Sequence, residues 1–539
     1  MSEDGPVPIP VATDEEIVEF IKRYGKTFDL ATDEYRRDPF IADIREGKND
    51  PIYNAHSYHT KVPPRAIIPY ILHYTEPGDI VLDPFCGSGM TGVAALICGN
   101  PPEDLLKVVP RARKGARRAI LNDLSPAACH IAYNYCTPVD VDALKKEFER
   151  IKATVKEEIA WLYGTEHYEP AVGIYDPTNA EVAHRLKNPP PDAFKFIRIS
   201  DQEPTWELVN RTEVERRMGS KALGTQPLPR EIDRFICIPA TIQYTIWSDV
   251  FKCQGMVTIE DQTGRINKST GRPVIKKIRR PRGCGNEIVL WEVARVNVAE
   301  KIQNGFSCPV CNTEWKKLAL RLIDSRPVVT NYSFTGLRSR TRSGELEPVE
   351  MRTERPTTLS EVKHITTISG LQIPNWFPRE PIDLGREMMR HGLLKRGLKT
   401  VDEFYTRRNL WGLAALWHQA SVVPSMRLAC MLRFALTSIM TFVSKKQSYG
   451  GGGGGLSATL YIAAFQQEKN VLEVFDRKMK DLLEGISMHN AMSQQGGILF
   501  SMGSAAHLSI PEASVDYIFT DPPFGSNIFY SDCSLLWES

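Results

Sequence analysis

Asp521-Pro522-Pro523-Phe524 sets a carboxylate, two prolines and an aromatic ring side by side near the end of the chain. The run before it, Val515-Asp516-Tyr517-Ile518-Phe519-Thr520, reads as a strand from a sheet interior. Proline fixes φ, so the four residues form a stiff turn at the strand's C-terminal end. That is the crevice where open α/β sheets bind ligands. The carboxylate and the prolyl carbonyls accept hydrogen bonds from an amino group, and the ring stacks on a flat heterocycle. Proline-rich turns after strands are common, so this chemistry requires a cofactor site upstream.

Such a site is legible earlier. Asp79-Ile80-Val81-Leu82 has the pattern of a buried strand and runs into Asp83-Pro84-Phe85-Cys86-Gly87-Ser88-Gly89, followed by the helix-like Val93 to Ile97. Strand, glycine turn and helix make a nucleotide-binding βα unit, in which glycines let the backbone approach a ligand closely. No Gly-Lys-Ser/Thr closes the loop, so it is not a Walker loop, and the spacing is not that of a dinucleotide fingerprint. A second unit, Ala119-Ile120-Leu121-Asn122-Asp123 with Ser125-Pro126 opening a helix, ends its strand on an acid placed to bind ribose hydroxyls.

Together these stretches resemble the S-adenosylmethionine-dependent amino-methyltransferases of DNA, the adenine-N6 and cytosine-N4 type. Asp83 to Gly89 is similar to their cofactor loop, Asp123 to their ribose-binding acid and Asp521 to Phe524 to their catalytic tetrapeptide. His59-Thr60-Lys61-Val62-Pro63-Pro64 is similar to the segment that covers the methionine end of the cofactor, and Leu499 to Ala506 to the strand and turn lying against its adenine. The resemblance covers residues 50–140 and 490–539. It implies S-adenosylmethionine as cofactor, held by Thr60, Lys61, Asp83, Phe85, Gly87, Ser88, Gly89, Asp123 and Ser504, with Asp521, Pro522, Pro523 and Phe524 catalytic. It also implies double-stranded DNA as substrate, a flipped base as methyl acceptor and a role in restriction-modification or phage defence. An acid at the first tetrapeptide position favours adenine N6 over cytosine N4. The readings left open are an RNA or protein amino-methyltransferase and an incomplete subunit that binds DNA or acts as a scaffold.

The expected fold class is α/β: a Rossmann-like class I methyltransferase sheet carrying a large insertion, partly zinc-ribbon-like and partly helical. At 539 residues the chain is long enough for several domains. Residues 1–54 form an N-terminal extension with an amphipathic helix around Glu15 to Tyr24, and 55–140 the first half of the methyltransferase domain. Residues 141–400 are the inserted DNA-recognition region, 401–490 a helical segment with the six-glycine stretch Gly450 to Gly455, and 491–539 the catalytic part. More than 300 residues between second and third strands are too many for a loop. The family's sheet takes about three further strands beyond the catalytic turn. Either a C-terminal segment or a second chain is expected to complete it.

Within the insertion, 244–320 reads as a zinc-ribbon-like segment. Cys308-Pro309-Val310-Cys311 is a standard knuckle. Cys253 and Cys284 lie 31 residues apart, where a ribbon usually places them three apart, and a hairpin inserted into that knuckle reconciles the spacing. The four cysteines are either a structural Zn2+ site or reduced structural thiols. The same hairpin carries Lys276, Lys277, Arg279, Arg280 and Arg282, and a later stretch carries Arg338, Arg340 and Arg342. In a chain of net charge +2 these local runs are the candidate DNA phosphate contacts, with a solvated charged face as the alternative. Further on, Arg407 and Arg408 open a helix, read as surface capping. Eleven cysteines without a secreted-scaffold spacing, and no signal peptide or long apolar run, point to the cytoplasm and away from a membrane.

Overall fold

The computed structural model describes residues 10–26, 28–29, 31–41, 50–109, 111–170, 196–197, 206–219, 234–267, 269–294, 305–316, 320–339, 346–382, 385, 389–390, 392–450, 460–492, 497–523 and 529–539. A four-stranded parallel sheet carries the catalytic motifs, in the order Ile498–Met502, Arg118–Asp123, Ile80–Asp83, Tyr517–Ile518. Strand order reverses about Ile80–Asp83, which has the second strand on one side and the catalytic strand on the other. This is the switch-point arrangement that opens a crevice at the strands' carboxyl ends.

Ile80–Asp83 reads as an unbroken apolar run because both faces of the sheet are covered. Val81, Ala119 and Leu121 join the main core with Val93, Ala94 and Ile131 of the helices Met90–Ile97 and Pro126–Cys136. Ile80, Leu82 and Ile120, one residue out of phase, pack against Ile17 and Ile21 of the helix Asp14–Tyr24. The N-terminal extension therefore supplies the second covering layer. Its helix is started by a capping box between Thr13 and Glu16, and Ala12 N–H donates to the Phe500 carbonyl at 2.7 Å. Only Tyr517–Ile518 is regular in the expected Val515 to Thr520 strand. The amides of Asp516 and Phe519 nonetheless extend the pairing to Ile80 and Leu82, each at 3.0 Å.

Between the second and third strands lies a second, nine-stranded sheet among the described residues, organised on the 33-residue strand Arg234–Ile266. It pairs antiparallel with Gly164–Pro170, Trp206–Asn210, Pro273–Arg282, Glu287–Val289, Leu320–Ser339 and Phe465–Lys469. The last of these falls inside the stretch expected to be helical. Its sequence, FQQEK, shows no apolar alternation because its polar side chains are buried against partners. Arg408, read from sequence as a surface cap, is buried with it. Its guanidinium pairs with Glu468 and donates to Thr245 Oγ1 at 2.9 Å. The carboxylate also accepts from Trp247 Nε1 at 2.7 Å.

The helices Val141–Tyr163, Arg407–Ser421, Met426–Ile439 and Val471–Met492 share one core with the parallel sheet. None of the described helices is long and apolar enough to cross a membrane. Of the six-glycine stretch, Gly451 to Gly455 lie outside the described residues.

Candidate active site

The loop from Asp83 to Gly89 turns the first strand into the helix Met90–Ile97. Gly87 and Gly89 both have positive φ, +49° and +77°. A Cβ on Gly89 would lie 2.7 Å from the Ala132 side chain and 2.8 Å from its Cα, so the close approach of loop to helix requires glycine there. Asp83 is buried and accepts hydrogen bonds from Phe85 N–H at 3.1 Å and Thr91 Oγ1 at 2.5 Å. Burial pushes its carboxyl up to about 6 against the opposing effect of those two bonds, with smaller upward pushes from the charges of Asp123 and Asp521. Asp123 accepts from Gly87 N–H at 2.9 Å through one oxygen and from Ser125 N–H at 3.0 Å through the other. The acid of the second strand is thereby tied to the glycine loop of the first.

These motifs converge on one cavity of about 820 Å³ at the switch point. Its wall includes Thr60, Lys61, Asp83, Phe85, Gly87, Ser88, Asp123, Ser504, Asp521 and Pro523. Gly89 sits behind the wall as the helix cap, and Pro522 is not part of the lining. Phe524 lies outside the described residues. Thr60 adopts φ +53° and its hydroxyl is 2.8 Å from Tyr530 Oη. Lys61 touches the cavity, but its ammonium is directed elsewhere. It donates to the carbonyls of Tyr53 and His56, the latter at 2.7 Å, and to Tyr135 Oη at 3.2 Å. Burial lowers its pKa to about 7.

Sequence reasoning assigned no role to several lining residues. Tyr58 precedes the recognised segment, His59 opens it without an assigned contact, and Tyr530, Asp532 and Glu538 come from the terminal helix Tyr530–Glu538. Ser125, which caps the helix Pro126–Cys136 through Ala128 N–H at 3.0 Å, also donates to the Glu538 carboxylate. His59 packs 5.0 Å from the Trp537 ring, and burial holds its pKa down at about 4, so it is neutral at pH 7. A lone glutamate in a terminal helix carries no motif, so no sequence signal pointed to Glu538.

Residues 22–134 match the family model described as DNA methylase. That span holds the cavity wall from Tyr58 to Pro126 and ends before Ser504 and Asp521. It supports an N6/N4-type amino-methyltransferase of DNA, whose family normally uses S-adenosylmethionine. Comparison with curated proteins and with solved structures returns no match.

Away from the cavity, the four insertion cysteines meet. The strands Arg234–Ile266 and Pro273–Arg282 pair from Gly255 opposite Arg282 to Ile266 opposite Pro273. The long gap between Cys253 and Cys284 is thus a hairpin whose root brings the two thiols together. Cys253 N–H donates to Asn286 O at 2.7 Å, and its carbonyl accepts from Gly285 at 2.9 Å. Cys308 and Cys311 form the facing knuckle, closed by Asn312 N–H to Cys308 O at 2.9 Å with Asn312 at φ +53°. All four Sγ atoms lie within 4.8 Å of one another, Cys253 to Cys311 at 3.6 Å and Cys284 to Cys308 at 3.7 Å. Thiolates about 2.3 Å from a tetrahedral ion stand roughly 3.8 Å apart, so the donor set fits a four-coordinate metal with no open position. Trp315 Nε1, 3.3 Å from Cys253 Sγ, supplies an outer hydrogen bond.

Of the candidate DNA contacts, Lys276, Lys277, Arg279, Arg280 and Arg282 lie on the hairpin's return strand, and Arg338 lies on Leu320–Ser339. Arg340 and Arg342 lie outside the described residues.

Proposed function

We propose that this chain is a site-specific DNA methyltransferase moving the methyl group of S-adenosylmethionine to the N6 amine of a flipped adenine, in a restriction-modification or phage-defence setting. The observation that carries the reading is the single cavity bordered by the glycine loop, Asp123, Ser504 and Asp521. The cofactor supplies an electrophilic methyl sulfonium, so the protein's task is alignment more than activation. Asp123 would take the ribose hydroxyls, the Gly87 and Ser88 backbone the methionine end, and Ser504 the adenine edge. Asp521 and the Pro522 carbonyl would accept the target amine's hydrogens and localise its lone pair. Phe524 would stack on the base, which must leave the duplex to reach the cavity. The four thiolates would hold a structural Zn2+, and the cations of the insertion would contact phosphates.

The test is methyl transfer from labelled S-adenosylmethionine to duplex DNA, RNA and peptide, followed by nucleoside analysis. N6-methyladenine in duplex DNA is the expected product. N4-methylcytosine would change the base, and label confined to RNA or peptide would replace the substrate. Cofactor binding without transfer to any acceptor would leave a DNA-binding or scaffold subunit.

A further inference from the structure

Residues 255–282 are rich in positive charge, as the shorter stretch 107–118 also is. The former hold Arg265, Lys268, Arg272 and the five cations of the return strand against only Glu260 and Asp261. That is a net of +6 in a chain whose total is +2, so the remainder is net acidic at −4. The segment is a two-stranded antiparallel ribbon, paired from Gly255–Arg282 at its root to Ile266–Pro273 near its tip. At about 3.4 Å per residue, its paired arms of roughly ten residues extend on the order of 30 Å.

Register distinguishes the cations of the return strand, with Arg279 opposite Thr258. Lys276 and Lys277 stand directly opposite Asp261 and Glu260. Arg280 and Arg282 stand opposite Val257 and Gly255, both uncharged. Alternation places Arg280 and Arg282 on one ribbon face, about 7 Å apart. Base pairs two steps apart in B-DNA are separated by the same distance, since both repeats are about 3.4 Å. The major groove admits a two-stranded ribbon, and arginine is the side chain that pairs bidentately with guanine O6 and N7 there.

We infer that this ribbon lies in the major groove of duplex DNA and that Arg280 and Arg282 read guanines two base pairs apart. The inference rests on the DNA methyltransferase reading and adds the reader, the groove and the spacing. The four-thiolate node sits at the ribbon's root, where Gly255 pairs with Arg282.

The experiment uses the full chain, a random-sequence 40-base-pair duplex pool, and the same pool with glucosylated 5-hydroxymethylcytosine, which fills the major groove. Binding is read by fluorescence anisotropy, with netropsin as minor-groove competitor. Binding at least tenfold weaker to the glucosylated pool and insensitive to netropsin is expected. Arg280→Ala with Arg282→Ala is expected to bind the plain pool about tenfold more weakly while S-adenosylmethionine affinity stays unchanged, which shows a folded chain. In duplexes selected by the wild-type chain, N7-methylation interference is expected at guanines two base pairs apart and is expected to vanish in the variant. Equal affinity for both pools, or an unaffected double variant, overturns the ribbon placement and leaves the methyl-transfer reading standing. A chain that binds the cofactor but no duplex, or that prefers single-stranded RNA, overturns both.

Discussion

Asp123 accepts the backbone N–H of Gly87 at 2.9 Å, linking the acid at the end of one strand to the glycine loop at the end of its neighbour. Neither residue reaches the cavity independently. The hydrogen bond ties the position of the carboxylate to the shape of the loop. Substitutions in the loop therefore act on the whole pocket.

Gly89→Ala is the sharpest probe of that shape. Its Cβ would meet Ala132 backbone and side chain at 2.8 and 2.7 Å, at a φ of +77°. Overpacking and left-handed strain together predict a stability loss of about 2–4 kcal/mol. Urea unfolding is expected to show it, with S-adenosylmethionine affinity falling in parallel.

Lys61 behaves differently from what its place in the motif suggests. Its buried ammonium donates to the Tyr53 and His56 carbonyls, so Lys61→Met leaves two acceptors without their donor. A loss of about 1–3 kcal/mol is expected. Cofactor affinity measured on the folded fraction should change by less than threefold, whereas a direct cofactor contact would show a larger effect.

Much of this architecture was legible in advance because it rests on local chemistry. Apolar runs, glycine turns and acids at strand ends located the cavity, and the cysteine spacing anticipated the hairpin that joins Cys253 to Cys284. The rest depends on partners distant in sequence. Phe465–Lys469 looks polar until Arg408 and Trp247 are placed against Glu468. The direction of Lys61 is set by backbone carbonyls, which leave no pattern in side-chain identity. Tyr530 and Glu538 reach the cavity only because their helix folds back over Thr60 and Ser125.

Stability should depend on pH in opposing ways. His59, His130 and His489 are held down at about 4 by burial, so the unfolded chain takes up protons between about pH 6.5 and 4 and stability falls on acidification. Asp83, pushed up from 3.8 to about 6, binds its proton more tightly when folded, so its contribution rises as pH falls through 6 toward 4. Asp83→Asn removes the opposing effect. Its melting temperature should fall more steeply than the wild type's over that range; identical slopes would contradict the placement of Asp83.

The thiolate node predicts one metal ion per chain. Elemental analysis should find about one zinc in the wild type and none in Cys308→Ser. Hydrogen exchange should rise across 244–320 in the variant and stay unchanged around Asp83 and Asp123. Metal-free wild-type protein with full protection over 244–320 would show that the thiols act as core side chains alone.

The most direct test is calorimetric titration of the full chain with S-adenosylmethionine, alongside Asp123→Ala and Asp521→Ala. One site per chain is predicted, weakened at least tenfold by Asp123→Ala and retained by Asp521→Ala, which should abolish methyl transfer without emptying the pocket. A folded chain that binds no cofactor, or binds it equally well without the Asp123 carboxylate, would contradict the assignment of this cavity.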